Sequence, residues 1–308
     1  MRDHVDPHLE FSHRWSTPMI TGSIVALVTP MTDSGDVDWR TLERLIDFHI
    51  ENGTAALGLV GTTGEASTLS HPEHREVIRF GVSHAGGRIP IMAGTGSNST
   101  LEAVELTVAA AEAGADCALL VTPYYNRPTQ EGMFQHFSAV AGAINLPIIL
   151  YNVPSRTGSD LANETIFRLS QIENIIGLKD ATGDVERGAA LIQSLPEGFA
   201  VYSGDDGTTC DLLQAGAKGC ISVTANVAPA EMAEMCRLAL AGDMPAARAV
   251  DQKVQRLHQT LFLEPNPIPV KYAMGYMGLI EPTMRLPLTP LSAQFQGEVT
   301  KAIDECLN

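Results

Sequence analysis

From Gly22 onward, short aliphatic and β-branched runs alternate with longer stretches whose apolar residues recur at helical spacing. An apolar run of four to eight residues bounded by Gly, Pro or Asp is too short for a buried helix and reads as a strand covered on both faces. Eight such runs occur: SIVALVTP from Ser23, AALGLV from Ala55, IPIMAGT from Ile89, CALLVTP from Cys117, LPIILYN from Leu146, IIGLKD from Ile175, FAVYSGD from Phe199 and GCISVTA from Gly219. The intervening stretches carry helix signals. LEAVELTVAAAEAG follows Asn98 and Ser99, either of which serves as N-cap, has Glu102 in its first turn and stops at Gly114. Strands that alternate with helices are parallel neighbours joined by crossover connections.

An open doubly wound sheet produces the same local pattern, but a count of eight favours closure into an α/β (β/α)₈ TIM barrel. After Val223 the pattern changes. PAEMAEMCRLALAG, MPAARAVDQKVQRLHQTLF, the segment following EPNPIPV and the final LSAQFQGEVTKAID read as helices without strands. The expected organisation is an N-terminal extension over 1–18, disordered or lying upstream of a true start at Met19, a barrel over 19–224 and a C-terminal helical appendage over 225–308. A length of 308 residues suits one barrel of about 250 residues plus that appendage.

The formal charge of -16 argues against a polyanionic partner, because binding of nucleic acid rests on clustered Lys and Arg. No stretch reaches the ~20 apolar residues of a membrane helix, and residues 1–18 lack the apolar run of a signal peptide. The five cysteines, Cys117, Cys210, Cys220, Cys236 and Cys306, are odd in number and without CxxC spacing, which suggests a reducing, cytoplasmic setting over a disulfide framework.

In a barrel the chemistry sits at the C-terminal ends of the strands, so polar residues directly after apolar runs are the candidates. Of five lysines, only Lys179 closes an apolar strand; Lys218 precedes the eighth strand, and Lys253, Lys271 and Lys301 fall in the appendage. A lysine drawn into a low-dielectric mouth loses its proton more readily and becomes a nucleophile toward a carbonyl. The plain alternative is an ion pair with Asp180 at the rim. Tyr151 ends the neighbouring strand and offers a phenol for proton transfer, or simply an amphipathic packing residue. GTTGEAS (61–67) presents hydroxyls and turn amides suited to a small carboxylate but lacks the lysine of a phosphate-binding loop. Arg156 is placed to clamp a second carboxylate, or to lie solvated in its loop. His71 and His74 open a helix, with no third ligand at a metal-site interval.

Taken together these segments resemble the dihydrodipicolinate synthase family of pyruvate-dependent class I aldolases. The resemblance runs in order from about Thr21 to Leu307 through GSIVALVTPM, GTTGEAS, GRIPIMAGTG, TPYYNRPTQEG, YNVPSRTG, GLKDATGD, SGDD, ISVTANV and EPNPIPVKYA. GTTGE and the strand-borne lysine also belong to N-acetylneuraminate lyases and keto-deoxy-sugar aldolases, whereas YNVPSRTG with Arg156 is associated with the synthases. A non-catalytic barrel that senses a keto or amino acid is the reading from another class, and retention of the catalytic set weighs against it.

The resemblance implies condensation of pyruvate with L-aspartate-4-semialdehyde to give 4-hydroxy-tetrahydrodipicolinate. Pyruvate is held as an imine on Lys179, with no other cofactor and no metal. It further implies a proton relay of Thr63, Tyr151 and Tyr125, the last from a neighbouring subunit, with Thr62 and Thr63 on the pyruvate carboxylate. Arg156 falls to the semialdehyde carboxylate, and Gly204 and Ile221 line the pocket. A feedback site for L-lysine is implied at His71, His74, Asn98, Glu102 and Tyr124, with Ala66 replacing a serine hydroxyl, and so is a homotetramer built as a dimer of dimers.

Overall fold

The computed structural model describes residues 19–307, so the expected extension over 1–18 lies outside the described residues. The eight runs form β1 (Gly22–Ala26), β2 (Ala56–Leu59), β3 (Ile91–Gly94), β4 (Cys117–Val121), β5 (Ile148–Asn152), β6 (Ile175–Asp180), β7 (Ala200–Ser203) and β8 (Gly219–Ser222). Each pairs in parallel with the next, and β8 returns to β1, with Gly22 to Val25 in register with Gly219 to Ser222. That last pairing decides for the closed barrel, since an open sheet ends in two edge strands with one neighbour each and here every strand has two.

The crossovers are α1 (Trp39–Glu51), α2 (His71–Ala85), α3 (Thr100–Ala113), α4 (Gln130–Ala143), the short α5 (Pro154–Thr157), α6 (Asn163–Leu169), α7 (Val185–Ser194) and α8 (Thr209–Gln214). Their starts follow local chemistry. Ser70 and Glu73 form a reciprocal capping box on α2, and Asp38 accepts from Thr41 N at 3.0 Å on α1. For α3 the N-cap is Ser99 and the C-cap is left-handed Gly114, which leaves Asn98 free to reach the carbonyl of Tyr124 at 3.1 Å.

Alternation along each strand divides the core in two. Ile149 and Tyr151 point into the barrel beside Met92, Leu119, Tyr202 and Ile221, while Ile148 and Leu150 pack outward against the helices. Gly177 on β6 is a space requirement: a Cβ there lies 2.8 Å from the carbonyl of Ala200 and 3.4 Å from the ring of Tyr202.

The helical C-terminal region comprises α9 (Pro229–Leu240), α10 (Met244–Thr260), α11 (Ile268–Tyr276) and α12 (Ala293–Leu307). The core crosses residue 224/225. Met232, Met235 and Cys236 of α9 share one apolar cluster with Val25 and Leu27 of the barrel, and Asn226 bonds both Ala26 O (2.8 Å) and Val28 N (3.0 Å). Helix α9 thus occupies the place of the barrel's eighth helix, and α10 to α12 are the addition.

Candidate active site

Lys179 sits at the C-terminal end of β6, in register with Tyr151 of β5, and its Nζ lies 4.2 Å from the centre of the Tyr151 ring. It is 5% exposed. Burial pushes its pKa down from 10.5 to about 8, the charge of Asp206 opposing that shift and the charge of Arg156 adding to it. About a tenth of such amines are unprotonated at pH 7, against well under a thousandth for a solvated lysine. Asp180, one residue on, faces the other way and accepts from Thr182 N at 3.0 Å, so the rim ion pair is not the arrangement adopted. Gly204, after β7, makes room for the lysine stem: a Cβ there falls 2.8 Å from Lys179 Cε and 2.9 Å from its Cγ.

Tyr151 is buried, which raises its phenol pKa; the charge of Arg156 and a hydrogen bond with Thr62 counter that rise. The hydroxyl joined to Tyr151 is therefore that of Thr62, and the expected link through Thr63 is corrected. The physical reason is the winding of the turn after β2. Val60 (φ 54°) and Glu65 (φ 56°) both adopt the left-handed region, which is costly for a β-branched residue. This leaves Thr62 open to the cleft and Thr63 buried, where Thr63 Oγ1 meets Asn266 Nδ2 at 2.9 Å. Tyr125 is not brought to this cleft by its own chain. It is 90% exposed with φ 70° and is not among the residues that line the cleft.

The turn is clamped from several sides. Thr29 Oγ1 donates to Gly64 O at 2.7 Å, and Glu65 N to Thr62 O at 3.1 Å. The fully buried Glu65 carboxylate receives the ammonium of Lys271, which also donates to Thr283 O at 2.6 Å. Lys271 was expected to be one of the unremarkable appendage lysines; it is as inaccessible as Lys179. Its position within PNPIPVK was the available signal, but nothing in that pattern indicated a partner 206 residues away.

The cleft over Lys179 has a volume of about 380 Å³ and is lined by Thr62, Thr63, Tyr151, Arg156, Ile221 and Asn266 among others. Arg156 is carried on α5, which ends at left-handed Gly158 and is braced by Thr157 Oγ1 on the carbonyl of Ser159 at 2.8 Å. Its guanidinium stands at the exposed rim. The result is a buried, partly deprotonated amine beneath hydroxyls, a phenol and one cation: chemistry suited to forming an imine with a small anionic carbonyl compound.

A second cavity of about 550 Å³ shares Thr62, Tyr151 and Arg156 as a wall, and on its far side are His71, His74, Ser97, Glu102 and Tyr124. Glu102 accepts from Ser97 Oγ and from His71 Nε2, each at 2.5 Å, and these bonds outweigh burial to hold its carboxyl below the usual range. Burial pushes His74 down to about 4. Ala66 and Ser67 both line this cavity, so a hydroxyl is present one residue beyond the expected serine position. Among the described residues no group of three or more His, Cys, Asp or Glu side chains is arranged to hold a metal ion.

The profile of the Dihydrodipicolinate synthetase family matches residues 19–306. The 4-hydroxy-tetrahydrodipicolinate synthase of Marinobacter nauticus is 57% identical over 286 residues, covering 92% of this chain and 98% of that one. The chloride-inhibited dihydrodipicolinate synthase of Acinetobacter baumannii, complexed with pyruvate, superposes with a TM-score of 0.93 at 57% identity, over 94% and 99% of the two chains. The enzyme of Cyanidioschyzon merolae with lysine bound gives a TM-score of 0.90 at 38% identity, over 93% and 98%. With the barrel, the buried lysine and near-complete coverage in agreement, the chain belongs to the dihydrodipicolinate synthetase family.

Proposed function

We propose that this enzyme condenses pyruvate with L-aspartate-4-semialdehyde to form 4-hydroxy-tetrahydrodipicolinate, in the route to diaminopimelate and lysine. The observation that carries the reading is Lys179, buried at the barrel mouth with its pKa lowered to about 8 and stacked on Tyr151. The neutral amine attacks the keto carbon of pyruvate, and water leaves as the imine forms. Loss of a methyl proton gives the enamine, whose carbon attacks the aldehyde. The semialdehyde's amine then attacks the imine carbon, closes the ring and releases Lys179. Tyr151 and Thr62 move the protons, with Tyr125 of a second copy completing the relay. Thr63 holds the pyruvate carboxylate, Arg156 the semialdehyde carboxylate, and Gly204 and Ile221 shape the pocket.

The second cavity is the L-lysine site in this reading. Glu102 receives an ammonium, Asn98 and Tyr124 supply polar contacts, and His71 and His74 form the wall. The exposed Tyr125 and its left-handed backbone support assembly as paired dimers. Five free thiols fit a reducing cytoplasm.

A coupled assay with pyruvate and L-aspartate-4-semialdehyde, run with and without L-lysine, tests the proposal. Turnover that falls on adding L-lysine is the expected result. Cleavage of N-acetylneuraminate with no turnover of the semialdehyde overturns the choice of second substrate.

A further inference from the structure

Between α10 and α11 the chain returns to the barrel mouth and presents Asn266 to Thr63. The two side chains are 2.9 Å apart, Asn266 Nδ2 to Thr63 Oγ1, both residues are buried, and both line the cleft over Lys179. An amide nitrogen only donates, so Thr63 Oγ1 is the acceptor and its own proton is directed elsewhere. Among the described residues the amide oxygen of Asn266 has no protein partner, which makes the bond to Thr63 the contact that orients this side chain. The segment is gripped a second time on the same turn, where Lys271 meets Glu65, two residues beyond Thr63. The C-terminal region thus holds the turn after β2 at two neighbouring points, one polar and one ionic.

We propose that Asn266 is a positioning residue that turns the hydroxyl of Thr63 so that its proton is donated into the cleft, to the carboxylate of the bound keto acid. The inference rests on the reading of the cleft as a pyruvate site. A carboxylate only accepts, so a hydroxyl that points its proton inward binds it and one that points its lone pairs inward repels it. Asn266 reaches the ligand through Thr63 alone. Its loss falls on pyruvate affinity more than on the chemistry at Lys179 Nζ.

The test traps the imine with borohydride on the full-length protein and follows intact mass across a range of pyruvate concentrations. Trapping on Lys179 in the unaltered protein upholds the pyruvate reading, and its absence sinks that reading and this inference together. With trapping present, Asn266→Ala raises the half-saturating pyruvate concentration about five- to tenfold, the worth of one hydrogen bond. Asn266→Asp keeps the shape but offers only acceptors, takes the proton of Thr63 and weakens pyruvate further than alanine does. In a Thr63→Val background Asn266→Ala adds no further increase, because there is no hydroxyl to orient. An aspartate variant that saturates at the original concentration overturns the assignment of Asn266 while leaving the pyruvate site standing. So do effects of Thr63→Val and Asn266→Ala that multiply, or variants that lose melting temperature and maximal trapping together at unchanged half-saturation, the mark of a purely structural residue.

Discussion

Tyr151 and Lys179 are register partners on adjacent barrel strands, with the lysine nitrogen 4.2 Å from the centre of the phenol ring. Strand pairing fixes this contact, and alternation turns both side chains inward together. The phenol face shields the ammonium from water, so the residue that supplies a proton donor also contributes to the burial that lowers the lysine's pKa.

That burial sets a pH dependence. Only the neutral amine attacks a carbonyl, and its folded pKa is lowered to about 8. The rate of imine formation therefore rises about tenfold per pH unit below that value and levels off above it. Borohydride trapping rates between pH 6 and 10 check this; a rate still climbing tenfold per unit toward pH 10 describes an unperturbed lysine. Lys179→Arg loses nearly all turnover, because a guanidinium stays protonated.

Gly204 is a packing requirement of the catalytic lysine. The 2.8 Å separation between a Cβ at this position and Lys179 Cε forces the stem to move. Gly204→Ala is expected to lower kcat by at least about tenfold through misplacement of the amine, with a small change in melting temperature. Unchanged steady-state rates contradict that expectation.

The Glu65–Lys271 pair is fully buried. Lys271→Met leaves a carboxylate without its cation and costs about 3–5 kcal/mol of stability. Replacing both partners with apolar residues of similar size recovers much of that loss. Denaturant melts of the single and double variants measure it, and a single variant as stable as the unaltered protein shows that the pair is dispensable.

Glu102 carries the negative charge of the second cavity, and Ser67 a hydroxyl beside Ala66. Glu102→Gln weakens inhibition by L-lysine at least about tenfold, since a neutral amide replaces the partner of an ammonium. Ser67→Ala weakens it less. Inhibition curves at fixed pyruvate report both. Identical curves for Glu102→Gln and the unaltered protein remove Glu102 from the site.

The barrel was legible because each strand is a short apolar run between turn residues, and Lys179 stood out as the only lysine closing one. Singling out Tyr151 and Arg156 needed only the rule that barrel chemistry gathers at strand ends, whereas Gly204 came with the family resemblance. What escaped the sequence was set by tertiary contacts. Thr62 and Thr63 are adjacent and both line the cleft, but only Thr63 is buried and tied to Asn266, a difference that follows from left-handed Val60 and Glu65, conformations no side-chain pattern announces. Asn266 and Lys271 reach the same turn across more than 200 residues. Helix α9 reads like the three that follow it, yet completes the barrel because its apolar face meets β1.

The central claim is that Lys179 forms an imine with pyruvate, and Lys271, equally buried, is the internal control. Treatment with pyruvate and borohydride followed by peptide mass mapping is predicted to add one reduced pyruvate to Lys179 and leave Lys271 unmodified. A label on Lys271 or any other lysine, or no label at all, contradicts the account.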